Sequence, residues 1–283
     1  MIISGTELAN ELKKNVAERV EKVKEKYGRA PHLVVILVGE DPASQSYVKG
    51  KGKDAEEVGF KSTTTRLPES PTEEELLELI DGLNSDEMVD GILVQLPLPK
   101  HIDEDKVIER ISKEKDVDGF HPGNVAALWL KRPCTYPCTP SGIIKLLDKA
   151  GVEISGKRAV VIGRSNIVGL PVAKMLLDRN ATVTVAHSRT KDLPKVASEA
   201  EILVVAIGRP KFVTADMVGE GAAVIDVGVN RDPETGKLCG DVDFEACKDK
   251  ASVITPVPGG VGPMTRACLM ENTLECFLRR MEH

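Results

Sequence analysis

The chain has 283 residues, enough for two domains of ordinary size. Lys and Arg number 38 against 44 Asp and Glu, a formal net charge of −6, and 41% of residues are hydrophobic. This balance suits a soluble protein with two cores. It argues against a nucleic-acid footprint, one Trp, three Tyr and five Phe are too few for a stacking platform, and no apolar run is long enough to span a bilayer.

The first half alternates amphipathic stretches with short apolar runs. Ser4-Gly5-Thr6-Glu7 reads as a capping box, and Leu8, Leu12, Val16, Val20 and Val23 then recur on one helical face. Leu33–Val38, closed by Gly39, reads as a strand buried on both faces. Residues 44–58 are helical in pattern, 60–67 are β-rich, Thr72-x-x-Glu75 caps a helix running to Leu83, and Gly91–Val94 is a further buried strand. Such βα units predict a parallel sheet covered by helices.

Lys131–Pro140, with three prolines in ten residues, reads as the boundary between halves. Beyond it, strands are expected at 159–162, 182–186, 202–206, 223–227 and 252–255, with a helix at 168–178. Five strands with crossovers predict a doubly wound, Rossmann-like sheet. A long closing helix is expected over 264–280, with Thr265 as its cap.

Several stretches carry chemistry. Gly151–Arg158 imitates a phosphate-binding P-loop, but it ends in Arg instead of Ser or Thr and leads into a strand instead of a helix, so it is rejected. Gly163-Arg164-Ser165, followed by Gly169, leaves a strand and opens a helix, the context of a dinucleotide site. Ser188 and Arg189 stand after the next strand, where an NAD site usually carries an acid, so NADP is the expected cofactor. In the first half, Tyr47 and Lys51 share one helical face, and Lys49 and Lys53 another. Gly50 and Gly52 flank Lys51 although each costs about 1 kcal/mol in a helix, so helix propensity does not explain the stretch. Gln95 and Asp118 follow strands, where parallel sheets keep their sites, and the Gly- and Pro-rich run 256–265 suits a rigid loop approaching a flat ligand. The six cysteines, at 134, 138, 239, 247, 268 and 276, are expected to be reduced thiols. Cys134 and Cys138 lack the second ligand pair that a closed metal site needs, so no metal is expected.

Taken together, Tyr47–Lys53, Gly91–Pro99, Lys115–Asn124, Pro137–Gly142, Gly163–Pro171 and Pro256–Thr265 resemble, in order, the motifs of the bifunctional methylenetetrahydrofolate dehydrogenase/cyclohydrolase family. The resemblance implies an α/β protein of two α/β domains. One is an N-terminal parallel-sheet catalytic domain (1–139), completed by the C-terminal helix (264–283). The other is a Rossmann-like NADP-binding domain (140–263), with an active-site cleft between the two. It implies a homodimer that uses NADP to oxidise 5,10-methylenetetrahydrofolate and then hydrolyses the methenyl product to 10-formyltetrahydrofolate; a cytoplasmic location is expected from residues 1–14, which show no basic-then-apolar signal pattern. It further implies Lys51 as catalytic lysine, Tyr47 packed on the folate rings, Gln95 holding Lys51 and Asp118 anchoring the pterin. Gly163, Arg164, Ser165, Ser188, Arg189 and Val229 would contact NADP, while Tyr47, Val94, Leu96, Pro258, Gly259, Gly260, Gly262 and Pro263 would line the folate pocket. A monofunctional NAD(P)-dependent dehydrogenase of similar build and a non-catalytic NADP sensor are the alternatives. The former has no reason to carry Tyr47, Lys51, Gln95 and Asp118 together, and the latter would bind NADPH without turnover.

Overall fold

Helix α1 (Gly5–Tyr27) opens with Ser4 Oγ accepting the Glu7 N–H at 3.3 Å and buries Ala9, Val16, Val20 and Val23 along one stripe. In the computed structural model, which describes residues 1–282, the chain then alternates as its pattern demands. Strand β1 (His32–Val38), buried throughout, is followed by α2 (Pro42–Glu57), β2 (Lys61–Leu67), α3 (Glu73–Ser85) and β3 (Gly91–Val94). The sheet order is β2-β1-β3, all parallel, with Leu33 of the central strand opposite Ser62 on one side and Gly91 on the other. Helix α3 carries a complete capping box: Thr72 Oγ1 accepts the Glu75 N–H, and Glu75 Oε2 accepts the Thr72 N–H. Val34, Ile36, Leu76, Ile80, Ile92 and Val107 form the core on one face, the last from α4 (Glu104–Arg110), which precedes α5 (Pro122–Trp129).

Contacts divide the chain into two compact units: Asn10–Cys138 with the stretch from Arg266 onward, and Met1–Ala9 with Thr139–Thr265. After α6 (Cys138–Lys149) come β4 (Arg158–Ile162), α7 (Gly169–Asp178), β5 (Thr182–Ala186), α8 (Leu193–Ser198), β6 (Ile202–Val205) and β7 (Ala223–Asp226). A short antiparallel pair, β8 (Asn230–Arg231) and β9 (Leu238–Cys239), leads through α9 (Phe244–Cys247) to β10 (Val253–Ile254) and α10 (Val261–Met281).

The five-stranded sheet has the order β10-β7-β6-β4-β5 and is parallel throughout. The chain leaves β4, pairs β5 on one side and returns to place β6 on the other. The topological switch point therefore lies at the carboxyl ends of β4 and β6, where doubly wound sheets bind ligands. Ile2 extends this sheet by a parallel bridge to Ile254. The three-stranded unit is closed by the later turns of α10, with Leu269, Met270, Leu274 and Phe277 buried. Arg280 Nη1 reaches Asp90 Oδ1 at 2.7 Å, while Arg29 takes the other carboxylate oxygen at 2.6 Å. Among the described residues, no helix is long and apolar enough to cross a membrane.

Candidate active site

The lysine-bearing helix starts at Asp41, whose carboxylate accepts the Ser44 N–H at 2.7 Å, with Pro42 in its first turn. This start turns Lys51 inward. The residue is 7% exposed, whereas Lys49 and Lys53 face solvent. Lys51 Nζ donates to Gln95 Oε1 at 3.0 Å. Gln95 is itself fixed twice: its backbone N–H donates to Ile36 O at 2.9 Å, continuing the strand ladder, and its Nε2 donates to Leu96 O at 2.6 Å. Committing the amide N–H to a carbonyl leaves the amide oxygen for the lysine. Tyr47, one turn before Lys51, has an exposed ring.

Asp118 is held by the segment 115–124. Ile92 N donates to Lys115 O at 2.8 Å, so the segment runs along the sheet edge. It then winds around the buried Asp116 carboxylate, which accepts from Gly119 N at 3.0 Å, His121 N at 2.8 Å and Asn124 Nδ2 at 2.8 Å. Gly119 is required here, since its φ is +74° and a Cβ would fall 2.7 Å from Pro137 N. Asn272, on α10, donates to Val117 O at 2.8 Å and braces the same turn. Some of the Asp118 residue stays exposed, but its carboxyl lies among protein atoms. Burial pushes that carboxyl up to about 6; the Lys51 charge opposes the rise and Asp116 adds to it. Val94, Leu96, Asp118 and Phe120 help to line a small cavity. Lys115 performs a structural task, its Nζ donating to the carbonyls of Leu83, Asn84 and Asp86 at the end of α3.

The five-stranded unit contains the other group of expected residues. Gly163 N donates to Ala186 O at 2.9 Å, so Gly163-Arg164-Ser165 and His187-Ser188-Arg189 leave neighbouring strands side by side. Gly163 has φ +121°, and a Cβ there would lie 2.2 Å from Ala206 O, across the switch point. A Cβ on Gly169 would meet Gly163 O at 2.3 Å. Both glycines let backbone approach backbone. Ser165, standing where the common fingerprint has a glycine, accepts the N–H groups of Val168 and Gly169 at 3.2 and 3.3 Å and so closes the start of α7. Arg164, Ser165, Ser188, Arg189 and Val229 are exposed. Pro258, Gly259, Gly260, Gly262 and Pro263 also belong to this unit. There Gly259, at φ +103°, offers its carbonyl to Thr6 N at 3.1 Å. The closing helix begins at Val261, three residues before its expected start. Thr265 therefore lies inside the helix, its Oγ1 bonded to Val261 O at 3.3 Å and Thr139 Oγ1 at 2.9 Å, and it is not a cap.

Family models described as tetrahydrofolate dehydrogenase/cyclohydrolase match the chain twice, the catalytic domain over residues 3–118 and the NAD(P)-binding domain over 137–281. The chain belongs to this family. It is 59% identical over 281 residues to the bifunctional protein FolD of Streptococcus pneumoniae, covering 99% of this chain and 98% of that one. The FolD crystal structure from Campylobacter jejuni is 50% identical, with a TM-score of 0.96 and 99% of each chain covered. That of Trypanosoma brucei, complexed with NADP and an inhibitor, is 42% identical with a TM-score of 0.96, covering 100% of this chain and 99% of that one.

As a member of the family, the chain is a two-domain α/β enzyme of one-carbon folate metabolism. It is an NADP-dependent methylenetetrahydrofolate dehydrogenase and a methenyltetrahydrofolate cyclohydrolase. Three acids that frame the sites escaped the sequence reading. Asp116 organises the turn of Asp118, as described. Asp226 accepts the N–H groups of Gly228, Asp241 and Val242, each at 2.9 Å, and burial pushes it up to about 6. Asp241 accepts those of Ile207, Gly208 and Arg209 at 2.7, 3.0 and 2.7 Å, which shapes the loop leaving β6 at the switch point. Their signal in the sequence is faint: each lies within three residues of a glycine, and such an Asp reads first as a turn residue.

Proposed function

We propose that Lys51 moves the proton in the cyclohydrolase step, with Gln95, Asp118 and Tyr47 arranged around it. The observation that carries this reading is the buried Lys51 Nζ, bonded to Gln95 Oε1 at 3.0 Å, while both neighbouring lysines are exposed. Water adding to the methenyl carbon must lose a proton, and when the adduct opens its hydroxyl loses the second while the released ring nitrogen gains one, so that one proton in net passes to solvent. A single group placed beside both atoms serves as relay, and Lys51 Nζ, steered by the Gln95 amide, fills that place. The Asp118 carboxylate accepts N–H groups from the amide-like edge of the pterin. The exposed Tyr47 ring packs on the ring system, and Val94 and Leu96 line its pocket.

For the dehydrogenase step, bound NADP supplies the nicotinamide that accepts hydride. The chain fits such a group: Gly163 and Gly169 bring backbones within a distance no side chain tolerates, at the end of the sheet where nucleotides bind. Since Ser165 already satisfies the first N–H groups of α7, the phosphates are reached by the Ser165 hydroxyl proton and by Arg164. Ser188 and Arg189 hold the 2′-phosphate, and Val229 covers an apolar face of the cofactor. The working form is a homodimer, a reading that rests on the family resemblance, and the cytoplasm is its expected compartment.

Lys51→Met tests the assignment by keeping the stem while removing the titrating nitrogen. Cyclohydrolase activity should fall by roughly 10²–10⁴, the usual worth of general acid–base catalysis. Dehydrogenase activity remains detectable, and methenyltetrahydrofolate accumulates in a spectrophotometric assay. Lys49→Met and Lys53→Met should change little. Full cyclohydrolase activity in Lys51→Met alongside a loss in either control would identify a different lysine.

A further inference from the structure

The two glycines that flank Lys51 stand in unlike surroundings. A Cβ on Gly52 would meet nothing within 4 Å, whereas one on Gly50 would fall 2.3 Å from Nη1 of Arg266. The Arg266 guanidinium thus fills the side-chain space that Gly50 leaves empty. Its Nε lies 3.3 Å from Oδ2 of Asp54, and Oδ1 of the same carboxylate accepts from Lys13 Nζ at 3.0 Å. Asp54 is 5% exposed. It stands four residues after Gly50, below the guanidinium, and three after Lys51.

That last spacing matters. A carboxylate three residues from a lysine on a helix is within ion-pair reach, so Asp54 is a local competitor for Lys51 Nζ. The competition is decided against it, because Lys51 donates to Gln95 while Asp54 is occupied on one oxygen by Lys13 and on the other by Arg266. Lys13 alone does not fill the carboxylate, for its Nζ also serves Glu57 at 2.6 Å.

We propose that Arg266, seated on Gly50, is a positioning residue for Lys51: together with Lys13 it saturates Asp54 and leaves Lys51 Nζ to Gln95 and the substrate. This inference rests on the reading of Lys51 as the proton-transfer residue. It also explains Gly50, which helix propensity disfavours, as the seat of a guanidinium. Gly52 has no such duty.

The test uses the full chain, with cyclohydrolase kcat and KM measured and normalised to the dehydrogenase activity of the same preparation, and melting followed in parallel. Arg266→Met should lower normalised cyclohydrolase kcat about tenfold, with KM for methenyltetrahydrofolate changed less than about twofold, as expected when a transition-state group is misplaced. Adding Asp54→Asn to Arg266→Met should restore kcat to within about threefold of the parent, since an amide no longer competes for the lysine. Lys13 keeps Glu57 in that variant. Gly50→Ala should lose cyclohydrolase activity without melting lower, whereas Gly52→Ala should keep its activity. Wild-type kcat in Arg266→Met overturns the proposal. So does a double variant as impaired as Arg266→Met, which would make Arg266 a packing brace only, and so does a Gly50→Ala that behaves like Gly52→Ala. Lys51→Met separates the two levels: if it loses cyclohydrolase activity while Arg266→Met is normal, only this inference fails, and if it keeps cyclohydrolase activity, the Lys51 reading fails first.

Discussion

Side chains hold the site around Lys51, and backbone holds the site around Gly163. In the three-stranded unit a buried lysine is bonded to an amide, Lys51 to Gln95, and the Asp118 carboxyl stands on a turn held by further polar groups, Asp116 on Gly119 and Asn272 on Val117. In the five-stranded unit the frame is glycine against carbonyl, Gly163 on Ala206 and Gly169 on Gly163, and the polar side chains assigned to the cofactor stand in solvent. A site that performs proton transfer needs its groups placed before the substrate arrives. A site that binds a large charged cofactor can leave its cations free until the cofactor orders them. Removing a side chain should therefore injure turnover in the first region, and adding one should injure binding in the second.

The largest effect expected from that contrast is at Gly163. Alanine there meets both a positive φ and a carbonyl 2.2 Å away. Strain and overlap on the order of 3 kcal/mol weaken NADPH binding by about 100-fold. Fluorescence titration of Gly163→Ala with NADPH measures it, and unchanged affinity would break the backbone half of the comparison. A smaller effect concerns the exposed cations. Charge-assisted contacts of about 1.5–3 kcal/mol should give NADP at least a tenfold advantage over NAD in kcat/KM, and Arg164→Ala with Arg189→Ala should bring the ratio toward one. Equal values for the two cofactors in the parent enzyme would remove these arginines from the 2′-phosphate site.

The mildest expected effect is a pH dependence at Asp118. With its carboxyl pushed up to about 6 by burial, the ionised form proposed to accept pterin N–H groups is lost as pH falls through that value. The dehydrogenase kcat/KM should therefore fall severalfold below pH 6, and Asp118→Asn should flatten this part of the profile. The stability effect has the opposite sense. A raised carboxyl in the fold favours folding at pH below the unfolded value and loses that contribution as pH rises through about 6. Asp118→Asn should then melt higher than the parent at pH 7.5 while binding folate more weakly. A lower melting temperature there would mean that the charged carboxyl stabilises its surroundings.

Regular elements were legible wherever burial imposed a period. Leu33–Val38 and Gly91–Val94 lie within observed strands, and Thr72 and Glu75 form the capping box their spacing announces. Elements without a period were not legible. His121 caps α5 through its Nδ1, and β8 and β9 are two residues each, too short to alternate. Val261-Gly262-Pro263 reads as loop, but a proline in the first turn of α10 forgoes only an N–H that has no helical partner there. Three lysines in a row of five residues could be ranked only by resemblance to the family. Burial ranks them in the structure, with Lys51 inside and Lys49 and Lys53 outside. Asp241, and Asp226 in two of its three bonds, were hard to see because their partners are backbone N–H groups brought close only by the fold, whereas Asp116 bonds within its own turn and reads as one more turn residue.

The bridge between Ile2 and Ile254 bears on how the molecule is made. Ile3 N donates to Ile254 O at 3.0 Å and Ile254 N to Met1 O at 3.0 Å, so residues at the start of the chain finish the edge of a sheet whose last strand comes some 250 residues later. At about 5–20 residues per second of synthesis, those first residues wait roughly 12–50 s for their partner. The three-stranded sheet can form during that interval, since its strands all lie within the first 94 residues. Translation thus imposes an order of assembly: the strands beside the lysine can pair early, while their cover by α10 and the outer edge of the nucleotide sheet come late.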